Sequence, residues 1–333
     1  MKLIVQIPCF NEEDTLPQTV ADIPRQIEGI EKVEILIIDD GSHDNTVAVA
    51  KKIGVDHIVE NTRNIGLAGS FQKGVDRCLE LGADIIVNTD GDNQYAGGDI
   101  PALVRPILDG KADVVVGDRQ TSEVEHFSST KKFLQRFGSF VVRNLSGVDI
   151  PDAVSGFRAI SREAALKINI VSSFSYTIEM LIQAGKKRMA IESVPVGVNA
   201  KTRDSRLFRS IPGFIKMSSM SMIRTYAMYQ PLRVFVGIGL VLSFIGIFPL
   251  VRFVVSFALG DGVGHIQSLV IGSSLLVIGF VTFLIGLAAD LINFNRRLIE
   301  RTLESTRRIE LHLNRLEHDE ENRSFKIRQS DRG

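Results

Sequence analysis

The sequence predicts an α/β protein, with a parallel or mixed sheet covered on both faces by helices and a membrane-associated C-terminal third. Three observations predict it. Short apolar runs alternate with helix-compatible segments from Lys2 to Gly117, the signature of strand–helix–strand units. Three of those runs end in polar clusters, Asn11-Glu12, Asp39-Asp40 and Asp90/Asp92. Two long apolar stretches, 234–259 and 269–289, each supply roughly the 20 residues that a membrane-spanning helix needs.

The elements follow in order. Leu3–Ile7 is a short apolar run bounded by Pro8 and reads as a buried strand over Lys2–Pro8. Leu16, Val20 and Ile23 then carry helical spacing. Val33–Ile38 is a second strand that ends in Asp39-Asp40-Gly41-Ser42, and Asp44-Asn45-Thr46 offers capping types for a helix from Val47 to Ile53. Val55–Val59 is a third strand, Asn61–Gly66 a loop and Leu67–Leu81 a helix. Strand Ile85–Val87 delivers the turn Asp90-Gly91-Asp92-Asn93-Gln94; helix Ile100–Leu108 and strand Ala112–Gly117 come next. Asp152–Arg158 stands ahead of a helix, Tyr176–Met180 lies in another, and Val194-Pro195-Val196 is an edge strand by its proline. In an open parallel sheet ligands bind where strands end, so the three polar clusters converge on one edge.

Asp90, Asp92 and the Gln94 amide oxygen are three hard oxygen donors from one turn, suited to Mg²⁺ or Mn²⁺ holding a substrate phosphate. Gly91 allows the chain to turn between the acids. The bland alternative is an acidic surface loop. No Gly-x-Gly-x-x-Gly follows the first strand and no Gly-x-x-x-x-Gly-Lys-Ser/Thr occurs, so a bound diphosphate needs metal and arginines in place of a glycine cradle. The 39 basic and 39 acidic residues balance, which gives no pull towards nucleic acid. Two cysteines, Cys9 and Cys78, cannot build a disulfide framework and fit a reducing compartment. Met1-Lys2 leads directly into a strand, so no secretory signal is expected.

Pro8-Cys9-Phe10-Asn11-Glu12-Glu13, then Ile38-Asp39-Asp40-Gly41-Ser42-x-Asp44-x-Thr46, then Asp90-Gly91-Asp92-Asn93-Gln94 together resemble family 2 glycosyltransferases of the GT-A fold. The resemblance implies a nucleotide-sugar donor contacted by Pro8, Asn11, Glu12, Asp39, Asp40, Arg63, Asp90 and Gly91. It also implies Mg²⁺ or Mn²⁺ on Asp90, Asp92 and Gln94. The run Asp152-x-x-Ser155-Gly156-Phe157-Arg158 and the later Arg203-Asp204-Ser205-Arg206-Leu207 resemble dolichol- and undecaprenyl-phosphate sugar synthases within that family. Arg206 stands where lysine is commoner; it keeps the charge and adds bidentate phosphate geometry. This narrower resemblance implies a polyprenyl monophosphate acceptor held by Arg119, Ser155, Arg158, Arg203, Ser205 and Arg206, with Asp92, Asp152, Arg158 and Arg203 as the catalytic set. A UDP-sugar is the favoured donor, with a GDP-mannose-dependent dolichyl-phosphate mannosyltransferase activity as the alternative. A phosphate monoester has a second pKa of about 6 and is already a dianionic nucleophile at neutral pH, so it needs neutralisation by arginine forks rather than a general base. Single in-line displacement with inversion follows, with metal on the leaving diphosphate and Asp152 orienting rather than deprotonating. Arg119 and the 120–132 loop border the acceptor path.

The expected organisation is a cytosolic catalytic domain over 1–206, interfacial amphipathic helices over 207–231, transmembrane helices at 232–259 and 267–290, and a charged helix with a disordered tail over 291–333. Arg252 falls near one end of the first span, where it can snorkel. The segment between the spans has no Lys or Arg, whereas Arg224 and Arg233 on one side and Arg296, Arg297, Arg301, Arg307 and Arg308 on the other flank the pair. The positive-inside rule then puts the catalytic domain and both termini in the cytoplasm. Asn293–Glu317 reads as a solvated helix whose heptads are too irregular to define a coiled coil; a homo-oligomer through the membrane helices stays open. The chain has no tryptophan and so cannot contain the Gln-x-x-Arg-Trp motif of processive polysaccharide synthases. The rival from another class is a non-catalytic, membrane-tethered nucleotide-sugar-binding or scaffold protein.

Overall fold

Strands β1 (Lys2–Cys9), β2 (Lys32–Asp39) and β4 (Ile85–Asn88) are buried along nearly their whole length, as continuous apolar runs must be when helices cover both faces of a sheet. The computed structural model describes residues 1–120, 139–140, 142–144, 147–171, 176–199, 220, 224, 226–260 and 265–330, with backbone alone at 315 and 317–330. Four further strands, β3 (His57–Glu60), β5 (Val114–Asp118), β6 (Arg158–Ser161) and β7 (Ile191–Pro195), complete a seven-stranded sheet in the order β3-β2-β1-β4-β6-β5-β7. β4 is therefore the middle strand. All neighbours are parallel except β6, which runs antiparallel to both β4 and β5.

β6 departs from the sequence expectation. Asp152–Arg158 does not lead straight into a helix; the strand intervenes before helix α5 (Arg162–Lys167). Four residues opening on an arginine show no period by which a strand is read. Its reversed direction pairs Arg158 with Asn88, so the loop entering β6 arrives at the edge where the parallel strands end. β7 does lie at the sheet's margin, with Pro195 as its last residue.

Helices α1 (Leu16–Ala21), α2 (Thr46–Lys52), α3 (Leu67–Glu80), α4 (Ile100–Leu108) and α6 (Tyr176–Lys186) cover the sheet. α3 buries Ala68, Phe71, Val75, Cys78 and Leu79, one helical stripe. It lies so close to the sheet that a Cβ on Gly74 would stand 2.8 Å from Ile38 Cδ1. Cys9 and Cys78 are free and buried. At the β1–β2–β3 margin, Glu34 is 3% exposed and meets Lys2 Nζ (2.8 Å), Lys32 Nζ (2.6 Å) and His57 Nε2 (2.8 Å). Burial would raise its pKa, but the three hydrogen bonds outweigh it and hold the carboxyl at about 2.

The chain divides into two compact units, Met1–Ser218 with Arg301–Gly333, and Ser219–Glu300. Of the expected interfacial helices, 207–219, 221–223 and 225 lie outside the described residues, and 226–229 are helical. Helices α7 (Pro231–Ala258) and α8 (Ile266–Ser330) are both long and apolar enough to cross a membrane. They pack through glycines: a Cβ on Gly239 would lie 2.8 Å from Gly279 O, one on Gly246 2.9 Å from Gly272 O, and one on Gly286 2.6 Å from Phe235 Cβ. Small residues let two backbones approach in this way. The backbone of α8 stays helical to Ser330. No glycine or proline stands between Gly286 and Gly333, and those are the residues that interrupt helices. Within the first unit, Arg307 pairs with Asp76 (2.9 Å) and donates to Ile168 O (3.2 Å), and Arg308 pairs with Glu163 (2.6 Å). The charged helix is thus docked on the domain there rather than wholly solvated.

Candidate active site

β1–β4 pairing stops at Gln6 and Asn88. Pro8, two residues on, has no N–H with which to extend that ladder, and the chain after β4 turns away into Asp90. The loop after β1 is laced to the loop after β2. Asn11 N–H donates to Ser42 Oγ (2.9 Å), Asn11 Oδ1 accepts from His43 N–H (2.8 Å), and Glu12 N–H donates to Thr46 Oγ1 (2.8 Å). Asn11 takes a left-handed φ of 57°, which asparagine tolerates.

The two neighbouring aspartates differ. Asp39 is 3% exposed; its Oδ2 accepts from Ser42 N–H (3.2 Å), while Oδ1 is buried without a hydrogen-bond partner. Buried polar atoms are nearly always paired, which makes this orphaned oxygen an exception in the fold. Asp40 instead accepts from Asn61 Nδ2 (3.0 Å), Ile65 N–H (2.8 Å) and Gly66 N–H (2.9 Å). It anchors the loop that opens α3. Arg63 is exposed on that loop, whose backbone passes so near Gly41 that a Cβ there would be 2.9 Å from the Arg63 carbonyl carbon.

Asp90, Asp92 and Gln94 are half-buried and alternate with buried Gly91, Asn93 and Tyr95. Asp92 Oδ1 accepts from Gln94 N–H (3.1 Å), and Gln94 O accepts from Asn199 N–H (2.9 Å). The tight backbone belongs to Asn93, at φ 55°, and not to Gly91. Gly91 is needed for close approach: a Cβ there would lie 3.1 Å from Cys9 Sγ and 3.3 Å from Glu12 Cγ. Among the described residues no group of three or more His, Cys, Asp or Glu side chains could hold a metal ion. Asp90, Asp92 and the Gln94 amide offer oxygen donors, the type that Mg²⁺ takes together with phosphate and water.

Beyond β4, Arg119 follows β5 and forks onto Asp152, with Nε–Oδ2 at 2.7 Å and Nη2–Oδ1 at 3.0 Å. Asp152 is fully buried and Arg119 nearly so. Burial opposes the charge on Arg119, but Tyr95 and the Asp152 carboxylate outweigh it and lift its pKa above the usual arginine value. The bonds to Asp152 engage Nε and Nη2 of the guanidinium. Ser155 Oγ is buried without a partner.

Arg158 corrects the sequence expectation. It is 1% exposed and donates to Ser155 O (2.8 Å), Thr177 O (2.6 Å) and Ala153 O (2.7 Å). Burial lowers its pKa to about 10, and its donors close the 152–158 loop and join it to α6 instead of facing a phosphate. Asn88 adds to that joint, donating to Gly156 O (2.9 Å) and Tyr176 Oη (3.0 Å). Asn88 and Tyr95 carried no spacing signal in the sequence, and Gly156 and Tyr176, though they lie in segments that the sequence singles out, carried no site role there. Arg203, Ser205 and Arg206 lie outside the described residues, as does the 120–132 loop beyond Gln120.

The sequence profile of glycosyl transferase family 2 matches residues 4–168. A protein of Methanocaldococcus jannaschii described as uncharacterized is 32% identical over 201 residues, 59% of this chain and 80% of its own length. The chain belongs to glycosyl transferase family 2. Another relative of this family 2 glycosyltransferase is the UDP-N-acetylglucosamine–dolichyl-phosphate N-acetylglucosaminyltransferase of Methanococcus voltae. It is 29% identical over 211 residues, 57% of this chain and 82% of the relative. Among solved structures, glucosyl-3-phosphoglycerate synthase of Mycobacterium tuberculosis, in complex with Mn²⁺, uridine diphosphate and phosphoglyceric acid, superposes with a TM-score of 0.53. It is 20% identical and the match covers 67% of this chain and 78% of that one. At that identity the likeness is one of fold, and the family 2 glycosyltransferase has the GT-A architecture.

Proposed function

We propose that this glycosyltransferase moves a sugar, with inversion, from a UDP-sugar to a membrane polyprenyl monophosphate. The observation that carries the reading is the meeting, at one sheet edge, of the Asp90–Asp92 turn with the buried Arg119–Asp152 fork. The Methanococcus voltae relative, which is named for a UDP-sugar and dolichyl phosphate, supports it. The unpartnered Asp39 Oδ1 suits the N3–H of uracil. Asp90 and Asp92, with Gln94, would hold Mg²⁺ or Mn²⁺; when bound, such a cation neutralises the leaving diphosphate. A dianionic acceptor needs no base, and Asp152, fully buried with both oxygens on Arg119, is built to orient that guanidinium. Arg119, with Ser155, Arg203, Ser205 and Arg206, receives the acceptor phosphate. The two apolar helices cross the bilayer as a hairpin, with the catalytic domain and both termini cytoplasmic.

The test is sugar transfer from a panel of UDP- and GDP-sugars to a short polyprenyl phosphate, with and without Mn²⁺, beside Asp92→Asn. Metal-dependent product from one UDP-sugar, lost in the variant, is expected. Product from a GDP-sugar would overturn the base assignment. No product from any donor, with nucleotide still bound, would overturn the transfer.

A further inference from the structure

Tyr95 follows the carboxylate turn directly and is 3% exposed. A buried tyrosine must find a partner for its hydroxyl, and here the hydroxyl accepts from Gly156 N–H at 2.8 Å. Gly156 in turn lies against the turn itself: a Cβ there would stand 3.1 and 3.2 Å from the two carboxylate oxygens of Asp90. The Tyr95 ring stacks on Phe157, with centroids 5.2 Å apart and planes 21° from parallel. It also lies beneath the Arg119 guanidinium, whose carbon is 5.8 Å from the ring centroid, within the range of a cation–π contact. One side chain thus touches the residue that receives the acceptor, by the reading above, and the loop that carries that residue's partner Asp152. Its own backbone is continuous with Asp90 and Asp92 and is braced by a bridge to Val198.

We propose that Tyr95 is the positioning residue that sets the acceptor-phosphate arginine, Arg119, at a fixed place relative to the Asp90–Asp92 turn. Its ring floors the guanidinium while its hydroxyl holds Gly156 against Asp90. In-line attack requires the incoming oxygen to meet the anomeric carbon opposite the leaving diphosphate, and a misplacement of about 1 Å costs on the order of 10²-fold in rate. The donor is registered by the turn and the acceptor by Arg119, so the residue that spans the two sets that alignment. This inference rests on the proposed reading of Arg119.

The test uses the full-length chain in mixed detergent–lipid micelles, with initial rates measured against short polyprenyl phosphate and, separately, against nucleotide sugar. Tyr95→Phe keeps the ring and removes the acceptor for Gly156 N–H. Tyr95→Leu removes both contacts. Tyr95→Phe is expected to raise the acceptor KM by about threefold to tenfold and Tyr95→Leu by more, as the loss of one and then two contacts of this kind implies, with donor KM within about twofold. Tyr95→Leu placed on an Arg119→Lys background is expected to add little further, because coupled residues are not additive. Should the Leu variant fail to fold, the Phe variant decides the matter through its KM values. A lower Tm with kcat and both KM values unchanged, or effects that add in the double variant, would reduce Tyr95 to a core residue. If the wild type shows no release of nucleoside diphosphate dependent on lipid phosphate, the assignment of Arg119 falls, and that of Tyr95 with it.

Discussion

Asp39 places one oxygen on Ser42 N–H and leaves the other buried and unpartnered. Asp39→Asn would keep the shape while offering only one acceptor. With that oxygen retained by Ser42, the amide NH₂ would face the base. UDP binding, measured by calorimetry, is expected to weaken by about tenfold or more, the usual cost of an unmatched buried donor, with acceptor KM unchanged. At this scale the turn after β4 was legible, because Asp90-Gly91-Asp92-Asn93-Gln94 follows an apolar strand directly. The direction of Arg158 was not legible. An arginine in a polar motif shows that a guanidinium matters, but not whether it faces the cleft or three carbonyls of its own loop. Gly91 was legible as necessary but for another reason, since its service is close approach to Cys9 and Glu12 rather than an unusual φ. Tyr95 and Gly156 act through contacts between segments about 60 residues apart, as the separation of their hydrogen bond shows, and no local pattern announces such a pair.

Glu34 ties β2 to its neighbours through Lys2 at the start of β1 and His57 in β3. Its carboxyl titrates from an ordinary value of 4.5 and is held at about 2 in the fold. A depressed folded pKa means stability that is complete above the unfolded value and is lost as pH falls towards the folded one. Denaturant midpoints compared for wild type and Glu34→Gln are expected to show a wild-type advantage at about pH 6 that shrinks steadily below about pH 4.5. A constant difference across that range would remove Glu34 from the acid response. Most elements of the first 118 residues were visible as apolar runs and helical stripes. β6 was not, because its four residues are fixed by pairing on both sides with β4 and β5 rather than by their own pattern. The glycine spacing of α8, with Gly272, Gly279 and Gly286 seven apart, was present in the sequence; its meaning needed the facing helix.

The molecule joins a catalytic unit to a pair of apolar helices, and the proposed hairpin fixes which solvent each segment meets. Cys9 and Cys78 are buried, so single introduced cysteines report cleanly. Asp261→Cys, between the spans, is expected to react with a membrane-impermeant maleimide in intact cells, whereas Ser305→Cys reacts only after the membrane is opened; the reverse pattern would invert the topology. The two long apolar helices were legible from composition alone, whereas the docking of Arg307 and Arg308 on the domain depends on partners more than a hundred residues away.

β4 has three strands on either side. The loops proposed to hold the nucleotide follow β1 and β2, and Arg119 and the Asp152 loop belong to β5 and β6. On that proposal donor and acceptor preference lie on opposite flanks of a shared central strand, and the two should be exchangeable by recombination at that strand. A chimera that takes residues 2–60 from a relative with another nucleotide preference should inherit the new donor and keep the old lipid. Inheritance of one trait without the other is what this sheet order makes available to evolution.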